Sequence, residues 1–270
     1  WLEALDAASL WQQHGSLMVA HPQDLNELTQ FRRDLDHVLD GDAPCRTLDA
    51  RDIQQLEPGL APGFHQGLYL PDEAHLDNRA LLERLLGEIR ALGGECHAHC
   101  PAETFPGEVV TTDGRRRFDR VVDCRGTGAR PRHPSLRGVR GETLHVQTAE
   151  VRLSRPVRLM HPRYQLYVVP KPDHRFVIGA TQIESEDRSP VSLQSSLELG
   201  SALYTLSPAF AEARILEQGV NLRPAFLDNL PHVTYREGLI TANGLFRHGY
   251  LLAPAVVCHL LADIRGQGDQ

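Results

Sequence analysis

Apolar residues recur at helical spacing in several stretches of the chain. Leu25, Leu28, Phe31, Leu35 and Val38 share one side of a helix predicted near residues 23–39, and Arg32, Arg33, Asp34 and Asp36 make its solvated side. Leu81, Leu82, Leu85, Leu86 and Ile89 predict the buried side of a second helix from about Arg79 to Leu92, which Gly93-Gly94 ends. A third, more apolar helix is expected from about Ser192 to Leu206. A last one follows the motif GLFRHGYLLAP at residues 244–254. Residues 1–14, with Leu2, Leu5 and Leu10, read as the end of a helix, and Leu48, Ile53 and Leu56 predict a short helix stopped by Pro58-Gly59.

Strand-like runs fall at residues 15–20, 95–100, 108–112 and 118–124, then densely through ETLHVQT, PVRLMHP, QLYVVPK and RFVIGATQ between 141 and 183. Shorter runs follow at 215–221 and 238–243. A helix, a strand, a hairpin and a strand ending in CRGTGAR make a segment of a doubly wound sheet, where ligands collect at the carboxyl ends of strands. The two kinds of segment alternate along 270 residues, a length beyond the usual single core, so two domains that the chain enters more than once are expected.

Composition narrows the class. Hydrophobic residues at 41%, charged residues at 23% and a net charge of -7 describe a globular protein and argue against nucleic acid as its partner. The triplet Arg115-Arg116-Arg117 follows Asp113-Gly114 and reads as a solvated hairpin turn. Cys45, Cys96, Cys100, Cys124 and Cys258 are an odd, scattered set without a signal peptide, which points to a reducing compartment, the cytoplasm. No apolar run approaches the roughly 18 to 20 residues that span a bilayer, and Tyr250–Leu261 is interrupted by Pro254 and His259.

Several groups invite chemistry. In a strand, Cys96, Ala98 and Cys100 face one way and His97 and His99 the other, so they do not converge on a metal ion, and none is expected. His75 lies among Asp72, Glu73 and Asp77, but Asp77 stands where the next helix needs a cap. No nucleophile elbow and no phosphate loop is present. Arg223 in NLRPAF and Arg247 in the closing motif each fit either a carboxylate or an interdomain ion pair, and Tyr167 in LYVVP fits either a hydrogen-bonding role or plain packing.

Taken together, GLYLPDEAHLD, VVDCRGTGAR, LRGVRGE, LYVVPK, VIGATQIES, LRPAFLDNLP and NGLFRHGYLLAP resemble, in order and spacing, the D-amino-acid oxidase family of FAD-dependent flavoproteins, with its glycine oxidase branch the nearest likeness. The resemblance runs over essentially the whole chain. It implies an α/β fold in which a Rossmann-like FAD-binding domain (1–14, 72–140 and 222–270) is interleaved with an α+β substrate domain (15–71 and 141–221) whose antiparallel sheet roofs the flavin. The family's opening G-x-G-x-x-G is not found, so residue 1 is expected to align past it, with the N-terminal βαβ unit outside the chain.

The implied activity is oxidation of the amine of glycine or another small amino acid to an imine, with hydride transfer to FAD, molecular oxygen as acceptor and hydrogen peroxide as product. The imine then supplies the thiazole of thiamine or hydrolyses. By position, Arg223 matches the carboxylate-binding arginine and Tyr167 its partner. Gln182 stands near the substrate where glycine oxidase carries methionine, and Asn221 replaces a glycine. Ala102, Cys124, Arg125 and Gly126 match the adenine and dinucleotide side. Arg247, His248, Gly249, Tyr250 and Leu251 match the segment that passes the flavin ring, where the helix start aims its N–H groups at the pyrimidine edge. A homo-oligomer is compatible with this class. A flavin dehydrogenase with another acceptor and a non-catalytic remnant are the competing expectations.

Overall fold

A computed structural model describes residues 1–42, 44–163 and 165–266, with Gln165 as backbone alone. Along the chain come β1 (Trp11–Gln12), β2 (Ser16–Ala20), α1 (Leu25–Val38), β3 (Arg46–Asp49), α2 (Ala50–Leu56), β4 (Gln66–Leu70), β5 (His75–Leu76) and α3 (Asn78–Ala91). Strands β6 (Ala102–Phe105), β7 (Glu108–Thr111), β8 (Gly114–Arg117) and β9 (Val121–Asp123) lead into a 3-10 turn at Gly126–Arg132. Strands β10 (Arg137–Gln147), β11 (Val157–Met160), β12 (Gln165–Lys171) and β13 (Arg175–Gly179) precede α4 (Leu193–Leu206). The chain closes with β14 (Arg214–Ala225), β15 (His232–Arg236), β16 (Leu239–Asn243) and α5 (Gly249–Gly266).

Local chemistry places the helix starts. Asp77 accepts from the Ala80 N–H at 3.1 Å and caps α3, so the capping role of Asp77 holds. Asp49 and Asp52 exchange hydrogen bonds as a capping box on α2, and Ser192 caps α4.

The body of the fold is an eight-stranded sheet in the order β14-β10-β13-β12-β11-β2-β4-β3. It is antiparallel except where β11 meets β2. Alternation sorts its side chains cleanly. One face carries Leu17, Leu144, Val157, Leu166 and Ile178 against Leu199, Leu203 and Leu206 of α4 and Ile53 of α2, which is the main core. The opposite face is covered at the β2–β4 end, where Met18, Ala20, Leu68 and Met160 meet Leu28 of α1. The rest of that face is lined differently. Asn221 lies opposite Gly141, Thr143 opposite Gly179, Gly179 opposite Tyr167, and Tyr167 opposite Arg158. Glycines thus alternate with a few polar side chains where a core would need apolar bulk.

A second, three-stranded sheet runs β15-β16-β9, with β16 and β9 parallel and β9 at the edge. Helix α5 packs on it through Leu260, Val256 and Ile264 against Ile240 and Ala242. Strands β6, β7 and β8 form a meander, and β1 pairs with β5.

Several expectations are corrected. Residues 1–14 do not end a helix: turns and a 3-10 turn at Ala8–Leu10 lead into β1. Residues 95–100 form no strand, since His99 turns the chain at a positive φ of 55°. Arg115, Arg116 and Arg117 lie on β8 rather than in the turn. On α3 only Leu81 is buried; Leu82 is 55% exposed, and Leu86 and Ile89 are exposed too. Periodicity identified the shared face, but only its Leu81 end is buried. Strand β14 continues through Pro224, which an edge strand tolerates. Among the described residues no helix is long and apolar enough to cross a membrane.

Candidate functional site

Arg223 projects from β14 onto the glycine-lined face. Its Nη1 donates to the carbonyls of Thr181 at 3.1 Å and Arg140 at 3.4 Å, and the guanidinium lies against Gly141. Across the sheet the Tyr167 ring lies on Gly179, where a Cβ would come within 2.5 Å of its hydroxyl. Burial pushes the Tyr167 phenol above its ordinary range, and the charges of Arg223 and Arg247 pull it back. Burial also lowers the Arg223 guanidinium, and repulsion from Arg247 adds to this. Tyr167, Arg223 and Arg247 therefore sense one another, and the structure brings them together.

Arg247 is delivered by the loop ahead of α5. The Phe246 N–H bonds the Pro224 carbonyl at 3.1 Å, which seats this loop beside the strand residue following Arg223. Arg247 Nη1 then donates to Gln182 Oε1 at 3.2 Å, so Gln182 joins the same group.

Beneath Arg223 lies an ion pair that the sequence did not single out. Glu142 is fully buried and accepts from Arg140 Nη2 at 2.6 Å and Nε at 3.0 Å. Burial alone would raise its carboxyl, but hydrogen bonds from Ser195, Arg140 and Ser192 outweigh it and hold the group below its usual range. Thr181 donates its hydroxyl to Glu142 Oε2, accepts from the Glu142 N–H, and offers its carbonyl to Arg223. The buried pair thus anchors the residue that aims the guanidinium. The only hint in the sequence was the alternating Arg140-Gly141-Glu142.

A second group gathers at the carboxyl end of β9. Asp123 is buried and accepts from Thr104 at 2.7 Å and from Arg125 Nη2 at 2.8 Å. Burial opposes its ionisation, yet the Arg125 and Thr104 hydrogen bonds win and hold it at about 2. Arg125 also donates to the Ala102 carbonyl at 2.7 Å, which ties β6 to the end of β9. Cys124 is exposed overall, and local desolvation together with the Asp123 charge raises its thiol. Gly126 adopts a φ of +58°, and its carbonyl accepts from Asn243 Nδ2 at 2.9 Å. Asn243 Oδ1 accepts from the Gly244 N–H at 2.8 Å, so one buried amide joins the turn after β9 to the loop before α5. Asn243 was also missed, its only signal being an Asn before Gly at a strand end.

Helix α5 starts beyond this loop. The His248 carbonyl accepts its first bond from Leu252 at 2.8 Å, which leaves the N–H groups of Gly249, Tyr250 and Leu251 without helical partners. A Cβ on Gly249 would meet nothing within 4 Å, and Leu251 is 74% exposed. An 18-residue helix thus points its positive end into open space beside a sheet face made shallow by Gly141 and Gly179. Residues that could hold a flat, anionic dinucleotide are His248–Leu251 at the start of α5 and Gly126, Cys124 and Ala102 around the end of β9.

Other candidates lie apart. His75 is half-buried, its Nε2 has no partner among the described residues, and burial, with the nearby Lys171, lowers its imidazole to about 4. His97 contacts Glu95, and no group of His, Cys, Asp and Glu suited to a metal occurs among the described residues.

Comparison with known proteins is consistent with this geometry. The profile of the family described as FAD dependent oxidoreductase (DAO) matches residues 1–264. A relative from Rhizobium etli, named putative thiamine biosynthesis oxidoreductase ThiO, is 45% identical over 261 residues, which cover 96% of this chain and 75% of the relative. The glycine oxidase of Bacillus licheniformis is 25% identical over 87% of the chain and 67% of its own length. The crystal structure of glycine oxidase from Geobacillus kaustophilus superposes over 97% of the chain and 75% of that structure with a TM-score of 0.82, a likeness of fold at 24% identity. From the family match across nearly its whole length and from its near relative, this chain belongs to the DAO family of FAD-dependent oxidoreductases.

Proposed function

We propose that this enzyme oxidises the amine of glycine or a comparably small amino acid to the imine, that molecular oxygen is reduced to hydrogen peroxide, and that the imine serves thiazole formation in thiamine biosynthesis. The observation that carries this reading is the Arg223 guanidinium. Among the described residues it is held through Nη1 alone; it faces a glycine-lined surface and has Tyr167 as its neighbour. A planar guanidinium with free donors fits a carboxylate two-pronged, and positioning is most of what hydride transfer from a neutral amine requires.

FAD, when bound, supplies the two-electron acceptor for the hydride that leaves the substrate's α-carbon. The chain's own residues do the rest. Arg223 and Tyr167 bind and orient the carboxylate, with Gln182 at the side of the pocket. The amine proton is lost to water before transfer, since among the described residues no carboxylate or imidazole is hydrogen-bonded to Arg223 and Tyr167 serves the carboxylate. Gly126, Cys124, Arg125 and Ala102 would line the dinucleotide side, while His248–Leu251 would offer N–H groups where negative charge gathers on reduction. Segments 1–14, 72–140 and 222–270 form the cofactor side in this reading and 15–71 and 141–221 the substrate side; β10 and β14 run through two of those boundaries. A cytoplasmic setting accompanies the reading, and five free cysteines agree with it.

The test is oxygen uptake by the FAD-loaded protein with glycine, with peroxide measured alongside. Arg223→Ala should weaken carboxylate binding by roughly 2 to 5 kcal/mol, the range for removing one partner of a buried charge pair. Flavin bleaching by glycine under nitrogen without uptake in air would identify a dehydrogenase instead, and unchanged affinity in Arg223→Ala would remove this arginine from the site.

A further inference from the structure

The charges that face the open side of the sheet do not balance. Arg223 and Arg247 both act on the Tyr167 phenol, and Arg247 repels Arg223. Each guanidinium is oriented by neutral acceptors. Arg223 uses the carbonyls of Arg140 and Thr181, and Arg247 uses the side-chain oxygen of Gln182. Among the described residues neither has a carboxylate partner. The acids of the Gln182 loop are engaged elsewhere: Glu184 with Arg137, Glu186 with Arg130, and Asp187 with Arg140.

Burial and the neighbouring Arg247 charge both disfavour the Arg223 guanidinium, so an anion that reaches the pair is favoured there. A single substrate carboxylate on Arg223 neutralises one of the two charges. The second remains, with the Nε and Nη2 donors of Arg247 unspent among the described residues and its direction fixed by Gln182. Phe246, bonded to the Pro224 carbonyl, holds the backbone at Arg247 to the same strand that carries Arg223, so the two cations are presented from one framework.

We propose that Arg247, oriented by Gln182, is a second anion-binding pole of the substrate site, and that the enzyme accepts amines bearing two carboxylates. This rests on the reading of Arg223 as the clamp for the first carboxylate. The second carboxylate is carried either beyond the nitrogen, as in an N-carboxymethyl amino acid, or beyond the α-carbon, as in an amino diacid. Arg247 is thereby a specificity-determining residue and Gln182 its positioning residue.

The experiment uses unreactive acids on the FAD-loaded protein, with dissociation constants from calorimetry. Diglycolate is compared with methoxyacetate, which lacks only the carboxylate beyond the heteroatom, and succinate with butyrate, which lacks the one beyond the carbon chain. One diacid should bind roughly tenfold more tightly than its monoacid, equivalent to about 1.4 kcal/mol. Arg247→Gln should bring that ratio to within about twofold, Arg247→Lys should retain part of it, and Gln182→Leu should reduce it by loosening the guanidinium. The preference should also shrink as salt is raised. Equal binding of both pairs to the unaltered protein, or a ratio that survives Arg247→Gln, would overturn the proposal while monoacid binding through Arg223 still stood. Monoacid affinity unaffected by Arg223→Ala would overturn the clamp itself and the second pole with it.

Discussion

The Arg223 guanidinium lies so closely on Gly141 that a Cβ at that position would overlap its Cζ and both terminal nitrogens. Gly141 sits in β10 without a left-handed φ, so its backbone accepts alanine; the side chain is what has no room. The far end of Arg223 is flexible, and Gly141→Ala should therefore spare the fold and displace the clamp. Binding of methoxyacetate to the FAD-loaded variant should weaken by roughly tenfold or more, while its thermal melting stays close to that of the unaltered protein. Tight binding by the variant would show that the guanidinium does not need its place on the glycine.

Asn243 joins Gly126 and Gly244 through the two ends of one amide and is only 5% exposed. Asn243→Ala strands a carbonyl and an N–H in a buried place, at a cost of about 1 to 3 kcal/mol. The same loss frees the turn after β9 from the loop before α5, so FAD affinity should fall along with stability. Urea unfolding and titration of the cofactor-free protein with FAD measure the two effects. Asn243→Asp keeps the acceptor for Gly244 but sets a carboxylate oxygen against the Gly126 carbonyl, so it should be at least as destabilising as Asn243→Ala at pH 7.

The helices were legible because their apolar spacing is a local property, as in α1 and α4. What covers a face is not local. Leu82, Leu86 and Ile89 read as a core stripe, yet they stay exposed, since periodicity reports which residues share a side and not what lies against it. The hairpin at Asp113-Gly114 was found, but a tight turn leaves Arg115–Arg117 on the strand. Of the site, Arg223, Tyr167, Gln182 and Arg247 could be singled out by residue type and resemblance. Glu142 and Asn243 could not, because their partners at Thr181, Ser192 and Gly126 lie far off in the chain and are brought to them only by the fold; Arg140 lies two residues from Glu142, but nothing in the sequence shows that the pair is buried.

The Asp123 carboxylate should appear in the pH dependence of stability. Its folded pKa of about 2 lies below the ordinary 3.8, so its contribution is complete above about pH 4 and is lost as pH falls through 2. The shift corresponds to about 2 kcal/mol at neutral pH and about half that at pH 3. Asp123→Asn should be less stable by about that amount at pH 7, and the gap to the unaltered protein should narrow at pH 3. A gap that stays constant across this range would mean that Arg125 and Thr104 hold the neutral amide as well as they hold the charge.

His75 acts at milder pH and with a different cause. Its Nε2 has no acceptor among the described residues, and burial, Lys171 and His14 all disfavour the imidazolium, which places its folded pKa at about 4 against 6.5 in the open chain. Above pH 7 both states are neutral and His75 leaves stability unchanged. Between 6.5 and 4 the unfolded chain takes up a proton that the folded one refuses, so stability falls over that interval and levels off below it. The loss at pH 5 is about 1 to 2 kcal/mol for a half-buried ring. His75→Gln cannot take up that proton in either state, so the stability difference between the two proteins, measured by urea unfolding, should shift toward the variant by this amount from pH 7.5 to pH 5. An unchanged difference would mean that the folded protein accommodates the imidazolium at His75 without cost.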